Sequence, residues 1–148
     1  MKFFEILVVT AETEIFCGMV TKVVVGTQGG ELGIYAGHAP LLAILRPGSL
    51  RVERRKDRRG SAERCLEVVV HGGFIEVQPN RVIVLADAIE RAADLDVAKT
   101  AQAVKLAKSM LSSSKDSQVD LAMATLELEL ARYHVACRGK GIMPSLKF

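Results

Sequence analysis

Two patterns of apolar residues divide the chain. Up to about Asp87 they come in short β-type stretches, with Phe3 to Val9 and Met19 to Val25 rich in β-branched and aromatic residues. Leu50 and Val52 alternate with Arg51 and Glu53, the period of two expected of a half-buried strand. Pro47-Gly48 is expected to turn the chain just before that strand. Leu66 to Val70, an apolar run broken only by Glu67 and bounded by Gly72-Gly73, suits a strand covered on both faces. Phe74 to Val77 and Arg81 to Leu85 read as a hairpin joined by Gln78-Pro79-Asn80. Many short strands with frequent turns predict a sandwich or barrel.

After Asp87 the texture changes. Glycine and proline are absent from Ala88 to Arg138, and alanine and leucine dominate. Asp94 is the expected cap of a first helix running to about Leu111, with Asp96 favouring its positive end. Val97, Ala101, Val104, Ala107 and Leu111 recur at helical spacing, and the alanines admit a second helix closely. Ser112-Ser113-Ser114 breaks the pattern, and Ser117 with Asp120 resembles a capping box for the second helix, roughly Gln118 to Cys137.

That second helix carries two apolar stripes. Val119, Ala122, Met123, Leu126, Leu130 and Tyr133 form one; Leu121, Ala124, Leu128, Ala131 and Val135 form another, nearly opposite. A helix hairpin needs to bury only one. The other meets the β region in a fixed pose, a partner, or each in turn, and periodicity does not choose among them. Gly139, Gly141 and Pro144 then end the helix and leave a tail.

One stretch is punctuated more heavily than any other. Gly29-Gly30-Glu31-Leu32-Gly33-Ile34-Tyr35-Ala36-Gly37-His38-Ala39-Pro40-Leu41-Leu42 turns repeatedly while carrying Leu32, Ile34, Leu41 and Leu42, which must be buried or face a partner. It reads as a recognition surface on a β scaffold. No Gly-Lys-Ser/Thr follows the glycines, which argues against a phosphate cradle.

Composition narrows the function classes. Cys17, Cys65 and Cys137 are odd in number and never paired as Cys-x-x-Cys, which argues for reduced thiols. His38, His71 and His134 are equally scattered, so no metal site is expected. No apolar run approaches the roughly 18 residues that span a bilayer. Glu5 interrupts the apolar start, so Met1 to Ala11 is read as a strand, not a signal peptide, and the protein as cytoplasmic. The net charge of +3 is concentrated at Arg51, Arg54, Arg55, Lys56, Arg58 and Arg59. Without interleaved aromatic residues this cluster lacks a base-stacking platform, and it reads as a solvated loop tip. Glu31 and His38, seven residues apart in the Gly29 to Leu42 stretch, can be imagined as an acid–base pair, and an interaction role suits them better. On residues alone the chain is a β sandwich with a helical hairpin, and a binding module.

Several segments together carry a resemblance: Glu31-Leu32-Gly33-Ile34, Gly37-His38-Ala39-Pro40-Leu41-Leu42, Pro47-Gly48, Gly72-Gly73-Phe74-Ile75-Glu76-Val77-Gln78-Pro79-Asn80, Val84-Leu85-Ala86-Asp87 and Leu95-Asp96. In that order they closely resemble the epsilon subunit of bacterial F-type proton-translocating ATP synthases. The resemblance implies an α+β chain. Residues 1–87 would be an all-β flattened sandwich of ten strands, 88–138 a regulatory helical hairpin, and 139–148 a mobile tail. It implies a non-catalytic rotor subunit whose β domain binds gamma and the c-subunit ring, with Glu31, His38 and Leu42 as the ring contact. It also implies a hairpin, here marked by Leu121, Leu128 and Arg132, that extends toward the alpha/beta catalytic head and inhibits ATP hydrolysis. The setting implied is the cytoplasmic face of the bacterial inner membrane, peripheral and reached only through the complex, with no nucleic acid. Some members bind ATP through Ile/Leu-Asp-x-x-Arg-Ala; Leu95, Asp96 and Lys99 form a degenerate version, with Thr100 in place of alanine, so weak or absent ATP binding and no cofactor are expected.

Overall fold

The computed structural model describes residues 2–54 and 65–145, and they divide into two compact units, Met1–Ile89 and Glu90–Phe148. The first holds β1 (Phe4–Val9), β2 (Glu14–Thr27), β3 (Gly30–Ile34), β4 (Leu41–Arg54), β5 (Cys65–Val70), β6 (Gly73–Gln78) and β7 (Arg81–Ala86). A short β8 (Ile89–Arg91) begins at its end. The strands follow the order β3-β2-β1-β7-β6-β4-β5, and a further pairing of β2 with β4 closes the ring.

Closure depends on two strands that bend. The first half of β2 pairs with β1, and its second half pairs with β3 and β4. Leu41 to Leu45 of β4 pair with β6, while Gly48 to Arg54 pair with β5 and β2. Each therefore serves both layers of a flattened barrel, and counting these halves separately turns the eight strands into ten. The bends show in side-chain parity. Val20, Val23 and Val25 are buried, changing from even to odd numbers at the irregularity between Val20 and Lys22.

The same bend corrects one expectation. Pro47-Gly48 is not a turn but lies inside β4, where the strand leaves β6 for β2 and β5. Proline has no N–H to give, and its place at this irregularity costs the ladder nothing. Around the bend Leu45, Leu50 and Val52 point inward. They join Phe4, Ile6, Val8, Ile75, Val77, Val82 and Val84 in one core. Val68, Val69 and Val70 are buried consecutively, so that end of β5 is covered on both faces as expected. Gln78 pairs directly with Arg81, leaving Pro79-Asn80 as a two-residue hairpin loop.

The second unit holds α1 (Val97–Ser113) and α2 (Val119–Gly139), with 3-10 turns at Ala92–Asp94 and Asp116–Gln118. Its core is Val104 and Ala107 against Leu126, Leu130, Tyr133 and Cys137. Val97, Ala101 and Leu111 pack on it. Two capping expectations are corrected. Asp96, not Asp94, caps α1, because the turn ending at Asp94 leaves Leu95 extended and helical geometry starts two residues later. Ser117 and Asp120 make no capping box: the 3-10 turn runs into α2 through Gln118, and no side chain caps it. The serine run does not break α1 early. Ser112, Ser113 and Ser114 donate their hydroxyls back to the carbonyls of Lys108, Ser109 and Met110, and the helix ends only after Ser113.

After Gly139 the chain turns back. Ile142 N donates to Cys137 O, and Ser145 N donates to the Tyr133 hydroxyl at 3.2 Å. Residues 146–148 lie outside the described residues.

Gly73 shows how tightly the barrel closes. It sits at φ +119°, opposite Ala86, and an added Cβ would strike the Leu85 carbonyl and approach Ala86 Cα to 2.8 Å. Gly73→Ala should therefore cost about 3 kcal/mol or more, because strain and overlap act together. A lowered urea midpoint for the β unit checks this; an unchanged midpoint would mean the strand pair yields more easily than its geometry implies.

Candidate functional site

The surface the sequence singles out is built on strand ends of the first unit. Its N-terminal part is β3 itself, zipped to β2 from Gly30 opposite Thr27 to Ile34 opposite Val23. Ile34 is fully buried and Leu32 packs on the core, so two of its four apolar residues are structural. The turn after β3 is fixed from several sides. Gly37, at φ +82°, donates its N–H to Pro79 O at 2.7 Å, and His38 N donates to Tyr35 O at 3.2 Å. Asn80 O accepts from Glu5 N, so the 35–38 turn and the Pro79-Asn80 hairpin meet at one end of the barrel. His38 Nδ1 lies 2.7 Å from Ala39 O, an arrangement that spends its N–H locally.

Leu41 opens β4 opposite Val77, beside that hairpin, and both Leu41 and Leu42 are exposed, Leu42 at 71%. Tyr35 is exposed with Lys22 Nζ 5.8 Å from its ring centre. The structure thus gathers His38, Leu42, Tyr35 and Leu41 around one hairpin. Glu31 is not among them. It lies at the other end of β3 opposite Gly26, exposed, and four residues of strand put roughly 13 Å between it and Tyr35. No acid–base pair is formed by Glu31 and His38.

A row of residues that sequence reasoning missed continues this surface. Ile44 faces Phe74 and Phe74 faces Leu85 across β4, β6 and β7, and they remain 45%, 50% and 46% exposed. With Leu42 two residues before Ile44, they make an apolar strip on the outer side of the sheet. The signal was present: Ile75 and Val77 face inward, so Phe74 must face out. A phenylalanine, an isoleucine and two leucines on outward positions exceed the scattered apolar residue of an ordinary surface.

The basic cluster is engaged with the protein where it is described. Arg51 donates to Glu53 at 3.2 Å, a bond that raises its pKa above the usual arginine value against the opposing effect of burial. Arg54 lies 4.1 Å from the centre of the Phe16 ring. Arg55, Lys56, Arg58 and Arg59 lie outside the described residues. Cys17 and Cys65 are exposed and Cys137 is buried, and no group of three or more metal-ligating side chains forms among the described residues.

In the second unit the degenerate nucleotide motif surrounds the start of α1. Leu95 is buried, Asp96 and Lys99 are exposed, and Thr100 donates its hydroxyl to the carbonyls of Asp96 and Val97. The Asp96 carboxylate accepts the Lys99 backbone N–H at 2.9 Å. This bond holds its pKa below the usual carboxylate value. Of the hairpin residues, Leu121 is 73% exposed and Leu128 half-buried. Arg132 donates to Glu90 at 2.9 Å and to Glu129 at 3.1 Å. Burial opposes its charge, but the Glu90 bond and the Glu129 and Glu90 fields outweigh it and raise its pKa.

A family model described as the ATP synthase delta/epsilon chain β-sandwich domain matches residues 3–92. An ATP synthase epsilon chain of Herminiimonas arsenicoxydans is 47% identical over 124 residues, 84% of each chain. The chain belongs to the ATP synthase epsilon family. The epsilon chain is a non-catalytic subunit of its complex. Solved structures share the fold. A chain of the Euglena gracilis mitochondrial ATP synthase, seen as OSCP/F1/c-ring in rotational state 1, is similar with a TM-score of 0.69 and 23% identity. That match covers 87% of this chain and 78% of the other. A chain of the Tetrahymena thermophila mitochondrial ATP synthase central stalk/c-ring is similar with a TM-score of 0.51 and 16% identity, over 84% and 97% of the two chains.

The cap at Asp96 generates a pH-dependent prediction. A carboxylate with a lowered folded pKa stabilises above its ordinary titration range, and that contribution is lost as pH falls through the folded value. Asp96→Ala should therefore lower the helical unit's melting temperature at neutral pH, with the gap to the unmodified chain closing in acid. Melts followed by circular dichroism at both pH values check this; a gap that persists in acid would show the cap is not what the substitution removed.

Proposed function

We propose that this chain is the epsilon subunit of a bacterial central stalk, with its β unit as the coupling part and its helical hairpin as a restraint on ATP hydrolysis. The observation that carries this is the division into two units with separate cores, one of which holds the exposed apolar strip. A sheet closed on itself needs no helix to complete it, so the hairpin is free for a second task.

In this reading the strip of Ile44, Phe74 and Leu85 docks on gamma, and the end bearing His38 and Leu42 meets the c-ring. Glu31 belongs to the ring contact as a separate point, at the far end of β3. The two solved chains described above belong to assemblies that contain a c-ring, a setting consistent with this one. Leu121 and Leu128 offer the hairpin's apolar contact to the catalytic head, and Arg132 its charge. The site of action is the cytoplasmic face of the inner membrane, held through the complex. No helix among the described residues is long and apolar enough to cross a membrane.

ATP is not a strong ligand in this reading. The Asp96 carboxylate is already committed to the cap, and lysine at 99 lacks the planar fork with which arginine grips phosphate. Calorimetry should give a dissociation constant no tighter than about 1 mM, a free energy of about 4 kcal/mol. Lys99→Arg should strengthen it, and micromolar binding by the unmodified chain would overturn the reading.

One reconstitution tests the division of labour. Full-length chain, a chain ending at Ala93 and full-length Leu42→Asp are each rebound to stripped membranes carrying the rest of the complex. The truncated chain should still bind gamma and support proton-coupled synthesis, while the complex hydrolyses ATP faster with the proton gradient collapsed. Leu42→Asp should bind several kcal/mol more weakly, because a charge is buried unpaired in an apolar contact. Unchanged hydrolysis after truncation would make the hairpin structural only, and unchanged affinity for Leu42→Asp would remove Leu42 from the ring contact.

A further inference from the structure

Residues 90–95 lead from β8 into α1, and the last two turns of α2 lie against them within the second unit. Two contacts fix this arrangement. Arg132 Nη2 donates to Glu90 Oε1 at 2.9 Å, and its Nη1 is held by both carboxylate oxygens of Glu129 at 3.1 and 3.3 Å. Gly139 approaches Ala92 so closely that an added Cβ would stand 2.5 Å from the Ala92 Cβ. Arg132 and Gly139 are seven residues apart and so share one face of α2, with Val135 and Ala136 between them fully buried. This is the C-terminal end of the face on which Leu121 and Leu128 lie more open to solvent.

The pairing is particular in both chemistry and shape. Glycine is a poor helix residue, yet one occupies the last position of α2, where any side chain would push the helix off Ala92. The guanidinium spans two carboxylates on different elements, a task for a planar fork. Among the described residues its Nε is buried without a hydrogen-bond partner, so the hydrogen bonds that hold the guanidinium come from its two terminal nitrogens.

We propose that this contact is a latch on the linker. With Gly139 seated on Ala92 and Arg132 holding Glu90, the linker and the hairpin move as one body. Loss of either contact loosens the last two turns of α2, which Tyr133 and Cys137 still hold to α1, and makes residues 90–95 a hinge at the base of α1. Its consequence for ATP hydrolysis rests on the reading of the hairpin as a restraint; the latch itself does not.

The test uses the full chain and hydrogen exchange of the amides in residues 132–139 and 92–96. Gly139→Ala should raise their exchange roughly tenfold, equivalent to about 1.4 kcal/mol, while amides of α1 beyond Thr100 keep their rates. Alanine favours helix more than glycine does, so lost helix propensity cannot explain a rise. Adding Ala92→Gly to Gly139→Ala removes the colliding methyl and should restore the original rates. Arg132→Gln should raise exchange as well, and Glu90→Gln in that background should add nothing further, the signature of a coupled pair. Unchanged exchange in Gly139→Ala, or failure of Ala92→Gly to rescue it, would overturn the latch. In the assembled complex the released variant should hydrolyse ATP more slowly. A raised exchange with unchanged hydrolysis would uphold the latch and overturn the hairpin's inhibitory role, so the two failures are distinct.

Discussion

The pairing of β2 with β4 is the constraint on which the first unit depends. A flat sheet of these strands would leave one face of every valine in water and two long edges open. Bending two fourteen-residue strands brings β2 against β4 and turns the inner face into an enclosed core. The bends cost regular hydrogen bonds at Val20 to Lys22 and Val25 to Thr27. They offset this by giving the ring strands β1, β2, β4, β6 and β7 neighbours on both sides, which a buried backbone demands. Gly73, held where no other residue fits, is a consequence of the same closure.

Closure at the β level shapes what the helices are for. The core of the first unit contains residues of strands, ending with Ala86, and Ile89 is partly buried against it. The hairpin's own core is much smaller, six buried residues at one seam among those described. Such a seam is enough to hold two helices together, but it stabilises less than the barrel core, because small cores supply few kcal/mol. Stability in this chain is thus unequally divided, and the less stable part carries Leu106, Met110 and Leu121 exposed. Motion is expected from the low-stability end of a structure.

Much of this was legible as pattern. Alternation at Leu50 to Glu53, the Pro79-Asn80 hairpin and the helical repeat from Val97 to Leu111 are local signals, and each sits where the structure has the element. The errors share a cause, which is that local rules met a tertiary override. Pro47-Gly48 has the chemistry of a turn, but β4 exchanges neighbours there and needed a bend instead. Asp94 and Asp96 are equally good caps by type, and only the 3-10 turn decides between them. Ser117 and Asp120 have capping-box spacing, yet Asp116 to Gln118 coil one residue too early to use it. For the candidate surface, the turn near His38 and Leu42 was visible in its glycines and proline. The separation of Glu31 from His38 was not, since strand length and not sequence distance sets it.

The outer strip carries the functional argument for a physical reason. In a closed barrel the inward positions are dictated: they must be apolar and must fill the space, so their identity reports the fold and little else. Outward positions are under no such demand, and a polar residue there costs the fold nothing. β6 shows both choices side by side, with Glu76 and Gln78 bonded to each other outward on the same strand as Phe74. Phe74, Ile44 and Leu85 are therefore residues that folding did not require to be apolar. Their adjacency on three neighbouring strands concentrates that unneeded hydrophobicity in one place. A surface that spends solubility without gaining core stability is best explained by a partner that covers it.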